Sequence, residues 1–175
     1  MADEPAEPAP AAPTRLGVSV AGVGMAGIAP SFAYGGGLAI HGRRGAWSIG
    51  LGGRLLRSAA EPVDGATQLA VTLAAAELNG CWHHGFLEQC LVGLAGSSWV
   101  SARGITRPDT DTGAFGALGL RSGAGLSVSR TLELFARLEG LVVLAPVRPQ
   151  VDGKDVWVAP SLAGSLVAGT RVDFW

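Results

Sequence analysis

Hydrophobic and polar residues alternate along most of this chain from Arg15 onward. In the last segment, one face of an extended strand would carry Leu162, Leu166, Ala168, Val172 and Phe174. The segment from Leu132 to Leu144 divides in the same way, with Leu134 and Leu138 on one face and Glu133, Arg137 and Glu139 on the other. A period of two predicts β-strands with one apolar face and one mixed face.

Eight such segments follow one another, and most are long enough to cross a membrane as tilted strands of about 9 to 11 residues. They cover residues 15–26, 32–42, 46–57, 67–79, 87–99, 114–128, 131–145 and 157–174. Short and long links alternate between them, as in bacterial barrels with short periplasmic turns and long external loops. The pattern predicts an all-β fold, an eight-stranded antiparallel up-and-down transmembrane β-barrel over residues 15–175.

Composition supports strands over helices and removes some functions. The 175 residues suit one domain, only 15% are charged, and 27 are glycines, which disfavour helix interiors. A formal net charge of -1 gives no electrostatic reason to expect nucleic acid as a partner. Residues 1–14 contain alanine, proline and acidic residues with little to bury, so we expect a disordered tail.

Aromatic residues lie near the ends of the predicted strands. A soluble core would bury large rings centrally, whereas a membrane barrel places them in girdles at the two interfaces. The predicted girdle consists of Phe32, Tyr34, Trp47, Trp99, Phe115, Trp157, Phe174 and Trp175.

Charged residues share the mixed face of the strands with many small residues. The predicted set is His41, Arg54, Arg121, Glu133, Arg137, Glu139, Arg171 and Asp173. An eight-stranded barrel is just wide enough for side chains to fill it, so opposite charges can pair inside. We expect a plugged, charged lumen. The alternative is the wetted face of a soluble protein, although the opposite faces offer more apolar surface than one small core needs.

The end of the chain carries a short motif. Gly169, Val172 and Phe174 are spaced as in the C-terminal insertion signal of Gram-negative outer-membrane barrels. With this motif, the alternation and the charged lumen, residues 15–175 resemble small eight-stranded outer-membrane proteins, the OmpA transmembrane domain and its OmpX-like relatives. Trp175 after the aromatic residue, and Val167 where a polar residue is usual, depart from that pattern.

The resemblance implies a monomer in outer-membrane lipid that depends on the barrel-assembly machinery for insertion. An exported precursor needs a positively charged signal segment, but Asp3, Glu4 and Glu7 stand at this N-terminus. We therefore expect that the signal is missing from the given sequence.

Cys81 and Cys90 flank the predicted link between the fourth and fifth strands. Two cysteines across a hairpin in an oxidising compartment favour a disulfide. A metal site that also uses His83 and His84 is the rival interpretation, although its spacing is not a recognised one.

Motifs for chemistry are weak. Gly22, Gly24 and Gly27 match a dinucleotide fingerprint, but no helix or acidic residue follows where one is needed. Asp109 and Asp111 begin like a calcium loop that lacks its closing glutamate. We assign no catalytic residue, metal or cofactor. The expected function is structural or loop-mediated adhesion; the alternatives are a lipid-modifying enzyme on the same barrel and a soluble lipocalin-like binding barrel.

Overall fold

The computed structural model describes residues 13–64, 67–103, 110–145, 150–151, 154–155 and 159–174. Eight long strands form the barrel: β1 (Thr14–Ala26), β2 (Ala33–Arg44), β3 (Trp47–Ser58), β5 (Thr67–His84), β6 (Leu87–Arg103), β7 (Thr110–Ser127), β8 (Leu132–Ala145) and β11 (Leu162–Phe174). Three short strands lie in the links: β4 (Glu61–Asp64), β9 (Gln150–Val151) and β10 (Lys154–Asp155). No helix in the described part of the chain is long and apolar enough to span a membrane.

Each long strand pairs antiparallel with the next long strand, and β11 pairs with β1 to close the barrel. The predicted fold class, with eight strands in an up-and-down order, is confirmed. Directly paired residues, followed once around the barrel from Leu16, lead back to β1 at Ala26. This displacement of ten residues means that the strands are tilted against the barrel axis, as closure requires.

The two ends of the barrel differ. The short-turn end has the links 45–46, 85–86 and 128–131, together with both ends of the closed sheet. The long-link end has the links 27–32, 59–66, 104–109 and 146–161. Residues 1–12, Trp157 and Trp175 lie outside the described residues, so the tail prediction and these two girdle positions stay predictions.

Strands β5 and β6 are longer than the pattern predicted. Their pairing continues beyond Asn79 through Cys81, opposite Cys90, and His83, opposite Glu88. The chain reverses only at Gly85, whose positive φ of 62° suits a glycine in a tight turn. The segment predicted as a turn is therefore part of the barrel wall.

The outer wall is apolar. Leu138, which lies mid-strand in β8, is 66% exposed, and Leu134 and Leu166 also face outward. Further exposed members are Leu38, Ile40, Ile49, Leu51, Leu55, Leu78, Leu91, Leu118, Leu120 and Val142. A barrel with this surface needs hydrocarbon around it, which excludes the soluble lipocalin-like alternative.

The predicted disulfide is present. Cys81 and Cys90 are bonded across β5 and β6, and both are buried on the inward face. Glu88 lies close to the two sulfur atoms, but thiols held in a disulfide do not serve as thiolate ligands. The disulfide, and not the rival metal site, is therefore the state found here.

Candidate functional site

Four buried charged side chains form a closed ring across the middle of the lumen, here called the charge ring: Arg54, Glu77, Arg121 and Glu139. Arg54 donates to Glu77 at 2.6 Å and, through both terminal nitrogens, to Glu139 at 2.6 and 2.7 Å. Arg121 donates to Glu139 at 2.7 Å and also to Glu77. Each carboxylate is therefore shared by the two guanidinium groups.

The charge ring joins opposite walls of the barrel. Arg54 lies on β3 and Glu139 on β8, four strands away in either direction around the sheet. Glu77 on β5 and Arg121 on β7 complete the connection on one side. The charge ring therefore links opposite walls of the barrel through side-chain contacts inside the lumen.

The electrostatics of the charge ring are balanced. Two arginines face two glutamates, and every member is at most 7% exposed. Desolvating charges is expensive unless they are paired and their remaining hydrogen-bonding atoms have partners. Asn79 donates to Glu77 at 2.8 Å and Ser165 donates to Glu139, so two further polar groups meet that demand.

A second group of charges, the mouth cluster, lies nearer the short-turn end. Its members are His41, Glu88, Glu133, Arg137, Arg171 and Asp173. Arg137 binds Glu88, Arg171 binds Glu133, and His41 Nε2 lies 3.1 Å from Asp173. The guanidinium carbon of Arg137 also stands 3.9 Å from the centroid of the Phe135 ring, a cation–π arrangement.

Glycines provide the room for these long side chains. A Cβ on Gly50 would lie 2.8 Å from Asn79 Oδ1, and one on Gly123 would lie 2.7 Å from Arg137 Cγ and 3.0 Å from Glu88 Oε1. Both glycines face the lumen beside a charged or amide side chain. A larger residue at either position would displace that side chain.

The lumen at the long-link end is apolar, which the prediction of a charged interior did not anticipate. Buried residues here include Met25, Ile28, Leu56, Leu69, Val71, Val100, Phe115, Leu141 and Val143, called the apolar cap. Ile28 comes from the link after β1, directly after Gly27, whose φ of 90° suits a glycine, and its side chain is buried. The lumen thus holds an apolar cap, a charge ring and a mouth cluster in series.

All eight charged residues predicted for the lumen lie on the inward face, but the prediction missed Glu77 and Glu88. In β5 the inward face also carries Leu69, Val71 and Leu73, so apolarity did not distinguish the faces. The charge count was the available signal. The predicted set had four arginines and only three acidic residues, so buried pairing required further carboxylates.

The predicted aromatic girdle is placed unevenly. Phe32, Tyr34 and Trp99 are exposed near the long-link end, and Trp47 and Phe174 are exposed near the short-turn end. The prediction for Phe115 is wrong, because this ring is 3% exposed and faces inward. Odd-numbered residues of β7 face the lumen, and the Phe115 ring is buried there among the residues of the apolar cap.

One serine and histidine pair bears on the enzyme alternative. Ser48 Oγ lies 2.7 Å from His83 Nε2 at the short-turn end. His83 Nδ1 lies 4.0 Å from Glu88, whose carboxylate is bound by Arg137. A nucleophile, base and orienting acid act through two hydrogen bonds in sequence, and here only the first is formed.

Comparisons with known proteins agree with this architecture. No protein-family model matches the sequence, and a search of curated proteins finds no match. Among solved structures, a major outer membrane protein from Thermus thermophilus has a TM-score of 0.63 and 15% identity, over 91% of this chain and 99% of that one.

Two bacterial surface proteins have the same fold. Ail, the attachment invasion locus protein of Yersinia pestis, has a TM-score of 0.58 at 11% identity, over 92% of this chain and 97% of Ail. Neisserial surface protein A has a TM-score of 0.56 at 15% identity, over 94% of this chain and 99% of that one. Ail has also been solved with the heparin analogue sucrose octasulfate.

The fold and the outer wall together define the class. The chain is an integral membrane β-barrel of the small, eight-stranded outer-membrane type. The bacterial outer membrane is the location that corresponds to this fold and this surface.

Proposed function

We propose that this barrel acts at the cell surface as a structural and adhesive protein, through its long-link end and not through its lumen. The observation that supports the proposal is the set of paired charges inside the barrel. The charge ring joins β3 to β8 across the lumen, and the apolar cap lies between it and the long-link end. We infer that these two layers leave no open path, so that the protein performs its function on its surface.

The proposed plugged lumen leads to a conductance prediction. After reconstitution into planar bilayers, the wild-type barrel should give no discrete channel openings, because ions would have to cross both the charge ring and the apolar cap. The measurement is current at fixed voltage, with a known porin as the positive control. Regular openings of one size that scale with salt concentration would contradict a plugged lumen.

The links at the long-link end are the candidate contact surface. In sequence they carry five acidic residues (Glu61, Asp64, Asp109, Asp152, Asp155) and three basic ones (Arg107, Arg148, Lys154). A slight excess of negative charge does not favour a polyanionic partner such as the heparin analogue bound by Ail. We infer a protein partner on the host or on a neighbouring cell.

Exchange of these links tests the adhesive function. Replacing residues 104–109 and 146–158 with short Gly-Ser links should reduce attachment of barrel-expressing cells to cultured epithelial cells several-fold. A matched exchange of residues 128–131 at the short-turn end should leave attachment unchanged. Both variants are first checked for heat-modifiable gel migration. Equal attachment of the wild type and the long-link variant would rule out adhesion through these links.

We also propose that the end of β11 is recognised by the barrel-assembly machinery during insertion. Val172 and Phe174 face outward on this strand, and Gly169 lies one residue before the outward Thr170. Motif residues on the lipid face of the closing strand are accessible before β11 pairs with β1. The proposed partner is the barrel-assembly machinery, and the proposed mature state is a monomer.

A further inference from the structure

Polar and aromatic residues form one row across the outer wall near the long-link end. Tyr34 on β2 lies directly opposite Arg57 on β3, Arg57 lies opposite Thr72 on β5, and Thr72 lies opposite Trp99 on β6. Tyr34, Arg57 and Trp99 are exposed on the outward face. Tyrosine marks the interface between hydrocarbon and headgroups, and Tyr34 is the second residue of β2 at the long-link end, so Tyr34 and the neighbouring Arg57 lie near headgroup level.

The two rows below it form a depression in the hydrocarbon-facing wall. The first is Gly36, Leu55 and Ala74, and the second is Leu38, Gly53 and Ala76. Small residues make the floor, while the exposed Leu38 and Leu55 stand on either side. The open cavity has a volume of about 1110 Å³ and reaches up to Tyr34 and Arg57.

Packing of the wall does not require glycine on this floor. A Cβ on Gly36 would lie 3.4 Å from Ala21 O, and one on Gly53 would lie 3.6 Å from Ala75 O. These are ordinary contacts, unlike the short ones at the lumen glycines Gly50 and Gly123. The small residues therefore leave space on the outside of the barrel.

We infer that this depression is a binding site for a net-anionic, phosphate-bearing lipid of the leaflet at the long-link end. Its acyl chains lie over Gly36, Gly53 and Ala76, between Leu38 and Leu55. Its phosphate accepts hydrogen bonds from the Arg57 guanidinium, which binds phosphate in a bidentate way, and from the Tyr34 hydroxyl. Chain and headgroup are thus matched by adjacent parts of one surface.

A second copy of the chain fits the surface less well. A two-fold interface places the same patch on both subunits, so a depression would face a depression and leave a void. The same symmetry would bring two Arg57 side chains to the same boundary. Flexible acyl chains fill a concave surface without that cost.

Lipid selectivity tests the site directly. The barrel is reconstituted in nanodiscs with equal amounts of dimyristoyl phosphatidylglycerol and dimyristoyl phosphatidylcholine, and lipids retained on the released protein are counted by native mass spectrometry. The wild type should retain the anionic lipid in about fivefold preference. Arg57→Gln should bring the ratio near one, whereas Arg130→Gln, at the exposed short-turn end, should leave it unchanged.

A variant that fills the depression with a larger side chain provides the second test of the site. Ala76→Leu should reduce the number of retained lipids of both kinds, and the matched Ala168→Leu, at an exposed outward position of β11, should not. Heat-modifiable migration shows that each variant is folded. The inference is overturned if the wild type retains both lipids equally, if Arg57→Gln keeps the wild-type ratio, or if Ala168→Leu acts as strongly as Ala76→Leu. A dimer that Ala76→Leu dissociates would also overturn it.

Discussion

Replacing Glu139 with glutamine should destabilise the folded barrel by about 3 to 5 kcal/mol, the usual cost of removing one partner from a buried ion pair. Glu139 accepts hydrogen bonds from Arg54, Arg121 and Ser165, so its loss leaves two buried guanidinium groups sharing only Glu77. Glutamine keeps the shape of the side chain, which separates charge from volume. The measurement is urea-induced unfolding in phospholipid vesicles, followed by tryptophan fluorescence.

Two variants control this result. Glu133→Gln removes a half-buried carboxylate of the mouth cluster that binds Arg171, and it should cost clearly less. Combining Glu139→Gln with Arg54→Met leaves Arg121 paired with Glu77 and should recover part of the lost stability. Equal destabilisation by Glu133→Gln and Glu139→Gln, with no recovery in the double variant, would show that the charge ring makes no special contribution to the stability of the folded barrel.

Introducing arginine at Leu138 should destabilise the barrel by about 2 to 4 kcal/mol, the cost of a basic residue on the lipid face near the bilayer midplane. Leu138 lies mid-strand in β8 and faces outward between Ser122 and Leu166. The charged group would have to reach the interface through hydrocarbon. The free energy of unfolding in vesicles is again the quantity to measure.

The same substitution at Leu162 is the matched control. Leu162 begins β11 at the long-link end and is as exposed as Leu138, so an arginine there reaches the headgroups and should cost only about 0 to 1 kcal/mol. The depth dependence is specific to a membrane. If both variants are neutral in detergent-free buffer with the protein soluble, the outward face meets water and the membrane assignment fails.

The barrel could be predicted because most strands keep one face consistently apolar. In β8, Leu134 and Leu138 face lipid while Glu133 and Glu139 face the lumen, as the alternation indicated. Lipid imposes this contrast directly, since an outward polar group in hydrocarbon has no partner. Most turns could also be located, because they interrupt the alternation; the exception is the link between β5 and β6, where the strand pairing continues to His84.

The contents of the lumen were only partly predictable. In β5 the inward Leu69, Val71 and Leu73 are more apolar than the outward Gln68, Ala70 and Thr72, so the pattern suggests the opposite orientation. Burial on the inward face requires close packing, and both a leucine and an ion-paired glutamate can be packed there. Which guanidinium meets which carboxylate depends on the ten-residue displacement around the sheet, which no single strand encodes.

Closure through β1 and β11 means that a chain without β11 cannot keep this sheet closed in a bilayer. The first and last strands meet over eleven residue pairs, so a chain without β11 would expose two unpaired edges to hydrocarbon. Each unsatisfied backbone group there costs several kcal/mol, and no water is present to replace the missing partner. We therefore expect insertion and completion of the sheet to be one cooperative event that requires the C-terminal strand.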